Sequence, residues 1–109
     1  MEFEFCKLEI LRPESHREAV RQALWSVDAG HIGRYDRCLS YSPVIGVWRP
    51  LAGTAPYLGR VGEACHAPEL KVEVTCRTDR VEETVAAFKR AHPYEDPVIN
   101  VIPLYRTGL

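Results

Sequence analysis

A strict alternation of apolar and polar residues over residues 70–76 constrains the fold more than any other stretch of the chain. This period of two predicts a β-strand with one buried side and one polar side. A sheet built on such a strand has one face that must be covered and one that tolerates water. The predicted inward set is Leu70, Val72, Val74 and Cys76.

A strand and a helix precede this central strand. Residues 3–11 alternate like a strand, and apolar side chains then recur at helical spacing over residues 14–28. Pro13 stands where the first turn of a helix tolerates proline, and Gly30 is a typical helix stop. We therefore predict a strand over residues 3–11 and an amphipathic helix over residues 14–28.

A helix and a strand follow the central strand. Thr78 is a good N-cap, and the helix that it starts should end at His92, because Pro93 disfavours the α conformation in the residue before it. Residues 98–105 then read as a strand, and Pro103 predicts that this strand lies at a sheet edge.

The middle of the chain, residues 31–69, is rich in glycine and proline and has no helical period. Residues 39–48 are strand-like around a Ser42–Pro43 interruption, which predicts a bent strand or a hairpin. Residues 50–68 read as a structured loop. A loop of this length in a small domain is usually functional or contacts another subunit.

The order of elements is therefore β-α-β(β)-β-α-β. Two helices on one face of an antiparallel sheet form the ferredoxin-like α+β arrangement. A chain of 109 residues suits one such domain, so we predict a single domain over residues 1–109.

The last strand predicts an oligomer, because it is apolar on both of its faces. The helices can cover only one face of the sheet, and a strand that is apolar on both faces needs both buried. Another copy of the chain is the simplest cover. A monomer with scattered exposed apolar residues is the alternative.

Composition argues against several partners. Acidic and basic residues are interspersed and the net charge is −1, which gives no electrostatic reason to expect nucleic acid or an anionic membrane. The sequence lacks an apolar run of the roughly 18 residues that cross a bilayer, and its first residues are acidic where a secretory signal is basic. We expect a cytoplasmic protein whose four cysteines are free thiols.

Four side chains are candidates for a metal site, since imidazole, thiolate and carboxylate suit Zn²⁺ or a similar divalent ion. His31 follows the first predicted helix and His92 the second, so they lie at opposite ends of the sheet, roughly 20 Å apart. They could share an ion only across a subunit interface. The candidate metal ligands are His31, Cys38, His92 and Glu95.

Structural roles are the alternative for the same residues. The ring of His31 could hydrogen-bond the backbone of its turn, His92 could satisfy carbonyls at a helix end, and Cys38 could be a packed strand residue. Cys38 with His31 is the only nucleophile and base pair close in sequence, and nothing orients a third group. We therefore expect no enzyme.

Four segments carry a resemblance to a known family. Together they span about residues 4–105, and they read Gly30-His31-Ile32-Gly33-Arg34-Tyr35-Asp36-Arg37-Cys38, Trp48-Arg49-Pro50-Leu51, Pro56-Tyr57-Leu58-Gly59 and His92-Pro93-Tyr94-Glu95-Asp96-Pro97. The sequence resembles the YqfO-type insertion domain of the Nif-three-like (dinuclear-metal, GTP-cyclohydrolase-type-2-like) proteins, in a standalone form.

The resemblance implies a CutA/PII-like fold that is usually trimeric, with a regulatory or small-ligand-binding role. The flanking halves that carry the dinuclear metal site in longer relatives have no counterpart in this sequence, so we expect no hydrolase activity. We predict a non-catalytic homotrimer that binds a small ligand or divalent cation in its intersubunit clefts. Tyr35, Arg49 and Tyr94 are the ligand-binding candidates. The alternative is a protein-interaction or structural regulatory subunit without a ligand.

Overall fold

The computed structural model describes residues 2–92 and 96–108. Within them, four strands and two α-helices follow in the order β-α-β-β-α-β, and a one-turn 3-10 helix precedes each α-helix. The elements are β1 (Phe5–Pro13), α1 (Arg17–Ser26), β2 (Ser40–Trp48), β3 (Cys65–Arg77), α2 (Val81–Ala91) and β4 (Ile99–Leu104).

The strands form one antiparallel sheet in the order β2-β3-β1-β4. This is the ferredoxin-like arrangement, and the predicted fold class is confirmed. β4 lies at an edge as predicted, which explains why Pro103 is tolerated there, since an edge strand needs ladder hydrogen bonds on one side only.

The core lies between the sheet and the two helices. Leu8 and Ile10 of β1 stand directly opposite Val74 and Val72 of β3, so that four buried side chains form one apolar face. The helices cover this face with the side chains Val20, Leu24 and Phe88. The alternation seen in the sequence therefore identified the buried face.

The first helix begins later than predicted. β1 continues to Pro13, and a 3-10 turn from Glu14 to His16 leads into α1. Pro13 thus ends a strand, in extended conformation, rather than standing in a helical turn. The strand is longer because Arg12 faces inward and is buried there. Periodicity alone does not anticipate a buried charged residue.

Thr78 is not an N-cap, contrary to the prediction. Arg77 occupies the N-cap position of the 3-10 turn that leads into α2, and its side chain makes no capping hydrogen bond. The Thr78 hydroxyl instead lies 3.1 Å from the Cys6 thiol, and its backbone N–H donates to the Glu4 carbonyl. Thr78 therefore ties the end of β3 to the start of β1.

β2 and β3 form one long hairpin. Pro43 pairs with Leu70 without ending the strand, because β2 is an edge strand. β3 begins at Cys65, five residues earlier than predicted, and the connecting loop is residues 49–64. At the far end of the hairpin Ile45 and Val47 point to the helix side of the sheet, yet Val47 is 74% exposed.

The sheet face opposite the helices is called the open face below. Its centre is charged: Lys7 and Glu9 of β1 lie beside Lys71 and Glu73 of β3, with Nζ to carboxylate distances of 3.3 to 3.8 Å. Apolar side chains stand at its flanks, such as Ile102 on β4. The open face is therefore mixed rather than uniformly apolar.

In the part of the chain that the structure describes, neither helix has the length and apolar character needed to cross a bilayer.

Candidate functional site

A cleft of about 310 Å³ opens where the 49–64 loop folds over the end of the β2–β3 hairpin. It reaches from the loop to the start of β4 and to Leu11 of β1. Trp48, Pro50 and Tyr57 form much of its apolar wall. Its volume lies at the lower end of the range for small-molecule sites.

The floor of the cleft carries a buried carboxylate. Glu69 is only 4% exposed, although it precedes the solvent-facing polar residues of β3. Its side chain lies against Gly46 of β2, where an added Cβ atom would come within 1.5 Å of Glu69 Oε1. Gly46 therefore makes the space in which this carboxylate lies.

Hydrogen bonds within the loop hold the wall of the cleft. The Trp48 indole N–H donates to the Leu58 carbonyl at 3.3 Å, and the Gly62 N–H donates to the Pro50 carbonyl at 2.8 Å. The Tyr57 ring meets the His16 ring edge-on, 5.9 Å between centroids, which connects the loop to the turn before α1. The loop is thus ordered around the cleft.

Charged side chains of both signs complete the lining. Arg49, a predicted ligand-binding residue, lines the cleft together with Asp96. Tyr94 and Glu95, also predicted site residues, lie outside the described residues. Apolar walls with a carboxylate on the floor suit a small molecule that has an apolar body and a cationic or hydrogen-bond-donating group.

His31 lies in a turn after α1, away from the cleft. Its Nδ1–H donates to the Asp28 carboxylate at 3.1 Å and its Nε2–H to the Gly33 carbonyl at 3.1 Å. Both nitrogens donate only when the ring is protonated, and the hydrogen bond to Asp28 accordingly raises the pKa of His31. A metal would have to displace one of these partners, since it needs a free nitrogen lone pair.

His92 is buried at the end of α2, with 7% of its surface exposed. Its Nε2–H donates to the Leu11 carbonyl at 2.7 Å, and its ring packs on Phe88 at 4.9 Å between centroids. Burial lowers the pKa of His92, so the ring is neutral at pH 7. The ring therefore joins α2 to β1.

The two histidines are held at different points along β1, closer together than the roughly 20 Å expected from the sequence. The turn of His31 is anchored where Gly30 donates to Thr75, opposite Lys7, whereas His92 contacts Leu11. Four residues of strand separate these points, about 13 Å at ~3.3 Å per residue. Within residues 2–92 and 96–108, no three His, Cys, Asp or Glu side chains are grouped so as to hold a metal. Their metal role stays a prediction.

Two further predicted residues lie in the same turn as His31. Cys38 is half-buried, and its thiol donates to the Asp36 carbonyl at 3.6 Å. Tyr35 is 75% exposed and pairs with Ile32 through backbone hydrogen bonds. Neither belongs to the described lining of the cleft. The four cysteines are free, and burial raises the pKa of Cys76 to about 11, as expected of a packed thiol.

Gly46 and Glu69 are site residues that sequence reasoning missed. One signal was present for Gly46, because a glycine inside an apolar strand marks a close approach of another group. Glu69 carried no signal, since an acidic residue before an alternating strand is usually exposed. Only the pairing of β2 with β3 brings the two together.

Comparison with known proteins shows what the chain is similar to. No protein-family model matches the chain. A protein of Halalkalibacterium halodurans named GTP cyclohydrolase 1 type 2 homolog is 37% identical over 102 residues, covering 94% of this chain and 27% of that protein. The chain thus spans about a quarter of the length of the curated relatives that it matches. The YqfO-type resemblance is confirmed.

Solved structures agree with this YqfO-type relationship. A Bacillus cereus protein related to NIF3 superposes with a TM-score of 0.83 at 31% identity, over 95% of this chain and 26% of that one. The divalent cation tolerance protein CutA from Archaeoglobus fulgidus superposes with a TM-score of 0.69 at 20% identity, and the match covers 94% of this chain and 86% of that one. The PII-like protein CutA from Nostoc has a TM-score of 0.67 at 19% identity, and the match covers 92% of this chain and 81% of that one. The last two share the fold alone.

Proposed function

We propose that this domain is a non-catalytic, regulatory ligand-binding module that works as a homotrimer. Its ligand is a small molecule with an apolar or aromatic body and a cationic group. The observation that carries the proposal is the buried Glu69 carboxylate against Gly46, on the floor of an apolar cleft. A cation with an apolar body complements both the walls and the floor.

The lining argues for binding rather than turnover. Among the described residues that line the cleft there is no cysteine, serine, histidine or lysine. The Thr54 hydroxyl in this lining donates to the Leu51 carbonyl at 2.7 Å, so it is held by the loop backbone rather than by a base that could activate it. The name cyclohydrolase homolog belongs to relatives about four times as long as the matched segment, and we propose no such reaction for this domain.

Self-association is the second part of the proposal, and two observations support it. Ile45 and Val47 are exposed near the loop end of the β2–β3 hairpin, and Ile102 is exposed at the flank of the open face. A second copy would bury these side chains and place another surface beside the cleft. A protein-interaction subunit without a ligand would use the same surfaces, so the ligand test separates the two functions.

A divalent cation is the second candidate ligand, favoured by the CutA proteins that share the fold and are named for divalent cation tolerance. In one chain His31 and His92 are too far apart for one ion. The site would therefore need His31 of one copy and His92 of a neighbour, with Glu95 or Cys38 as further ligands.

The cleft is tested with tryptamine and benzamidine as aromatic cations and benzoate as the matched anion. We expect saturable shifts of the Trp48 indole NMR signal with the two cations only, and a loss of about tenfold in affinity for Glu69→Gln, since one charge-assisted hydrogen bond is removed. Trp25→Phe assigns the two indole signals. Zn²⁺ titrated into the same samples, and into His31→Ala and His92→Ala, tests the metal alternative.

Gly46→Ala is the sharper variant, because its methyl group occupies the position of the Glu69 carboxylate. The atoms that meet the added methyl group belong to the Glu69 side chain and not to the backbone, so we expect the fold to survive and cation binding to fall. Gly108→Ala, with no heavy atom within 4 Å of the added Cβ, is the matched control. Equal binding by wild type, Gly46→Ala and Glu69→Gln would rule out this cleft.

A further inference from the structure

Arg12 is a buried cation on the helix side of the sheet. Only 2% of its surface is exposed, and its Nη1 donates to the Pro13 carbonyl at 3.2 Å. Within the described residues, the Arg12 guanidinium has no carboxylate at ion-pair distance. Burial lowers the pKa of Arg12; Glu14 opposes this shift, and the charges of Arg17 and Arg21 add to it. A buried guanidinium normally has a counter-charge.

Two more arginines of α1 lie beside Arg12. Arg17 and Arg21 are one helical turn apart, and their guanidinium carbons lie 5.8 and 5.9 Å from the centre of the same ring, that of Tyr41 on β2. Like charges at this spacing repel each other. Glu14 pairs with Arg17, and Glu18 lies 3.6 Å from Arg21, so two carboxylates offset three guanidinium groups.

These side chains enclose a small cavity between α1 and β2. Its volume is about 10 Å³, and Arg12, Arg17, Arg21 and Tyr41 are among its lining residues. That is room for roughly one water molecule or one oxygen atom. Arg12 lies under the cavity, while the more exposed Arg17 and Arg21 stand at its rim.

We propose that this cavity is an anion site for a tetrahedral oxyanion of the phosphate class. One oxygen enters the cavity and accepts from Arg12, and the remaining oxygens lie at the mouth between Arg17 and Arg21. Guanidinium groups match phosphate oxygens in geometry and form charge-assisted hydrogen bonds. The anion supplies the paired negative charge that the described residues do not give Arg12, and it relieves the repulsion between Arg17 and Arg21.

The anion site is separate from the cleft. The cleft opens on the loop end of the β2–β3 hairpin, whereas this cavity lies under α1, on the opposite side of the sheet. The proposal therefore does not depend on the ligand proposed for the cleft. Loss of one site is expected to leave binding at the other unchanged.

The test is isothermal titration of the full chain with inorganic phosphate, glycerol 3-phosphate and acetate at constant ionic strength set with chloride. We expect saturable binding of phosphate, and an affinity about tenfold lower in Arg21→Gln, which removes one charged donor at the rim. Binding of the ester as well would assign the site to phosphate groups of larger molecules, and binding of inorganic phosphate alone to the free ion.

Two further variants test whether the charges at the rim of the cavity control the affinity for phosphate. Glu18→Gln removes the carboxylate that competes for Arg21, so phosphate should bind several-fold more tightly. Arg90→Gln changes an exposed arginine on α2 and should bind phosphate as wild type does. Because Arg12 is buried, its substitution could prevent folding. The variants of Arg21 and Glu18 at the rim therefore test the anion site. No saturable phosphate binding, equally tight acetate binding, or equal losses in Arg21→Gln and Arg90→Gln would overturn the proposal.

Discussion

The sequence around His92 allows two roles, metal binding or a structural hydrogen bond, and the contacts of its ring favour the second. Before a proline and after a helix, a histidine is equally suited to bind a metal or to hydrogen-bond the backbone. The structure places its Nε2–H on the Leu11 carbonyl and its ring on Phe88. These contacts favour the structural role, and they make the neutral ring the stable form.

The pH dependence of stability follows from that burial. Because the folded-state pKa of His92 lies below its usual value, the unfolded chain takes up a proton first as pH falls below about 6.5. The free energy of unfolding should therefore decrease with acid until pH reaches the folded-state pKa. Urea unfolding of wild type and His92→Gln between pH 7.5 and 5 checks this, with a smaller decrease expected for the variant.

His31 supplies a control of opposite sign. The pKa of His31 is raised by Asp28, so protonation of His31 stabilises the folded state in acid. In His31→Gln the free energy of unfolding should therefore fall more steeply with acid than in wild type. If the free energy of unfolding depends on pH in His92→Gln as it does in wild type, the buried His92 ring does not govern the loss of stability in acid.

At the scale of elements, the turn between α1 and β2 depends on one glycine. Gly30 has φ of +84°, and an added Cβ would lie 2.2 Å from the Cys38 carbonyl oxygen, which is backbone and cannot move aside. The Gly30 N–H donates to Thr75 and its carbonyl accepts from Cys38, so the turn is held on both sides. The sequence identified Gly30 as a helix stop but not as this contact.

Gly30→Ala should therefore destabilise the fold by at least about 2 kcal/mol, from backbone strain and overlap together. Gly62→Ala is a close control, because Gly62 has φ of +82° and no heavy atom within 4 Å of the added Cβ. The difference between their free energies of unfolding in urea isolates the close approach. Equal losses in the two variants would mean that φ alone matters at Gly30.

The ends of elements were harder to predict than their existence. Alternation and helical spacing identified β1, β3 and both helices, because a buried apolar face gives a periodic pattern in the sequence. Residues 39–48 were left open as a bent strand or a hairpin, and the structure has one strand there, Ser40–Trp48. The start of α1 was missed because Arg12 extends β1 with a buried charge, and the cap of α2 because Thr78 hydrogen-bonds across to β1. Both features depend on residues distant in sequence.

At the scale of the whole molecule, the open face decides how copies can meet. Its centre carries Lys7, Glu9, Lys71 and Glu73 in mutual ion pairs, and its apolar side chains lie toward the flanks. Burying the charged centre is favourable only if these pairs remain intact. Association should therefore rely on the apolar flanks and on the exposed hairpin end.

We expect light scattering at micromolar concentration to give three times the chain mass of 12.4 kDa. Ile102→Glu, on the flank of the open face, should dissociate the trimer, because a carboxylate is costly to bury without a partner. Val61→Glu changes an exposed apolar residue of the loop and serves as the control. A wild-type monomer at this concentration would remove self-association from the proposed function.

The sequence by itself determined the order of elements, the buried face of the sheet, the edge position of β4 and the YqfO-type relationship. These follow from local periodicity and from short motifs, which are properties of neighbouring residues. Only the tertiary structure decided which polar groups lie together: Glu69 over Gly46, Arg12 beneath Arg17 and Arg21, and His92 on Leu11. Each of these pairings joins separate elements, and its free energy depends on burial that no local pattern records.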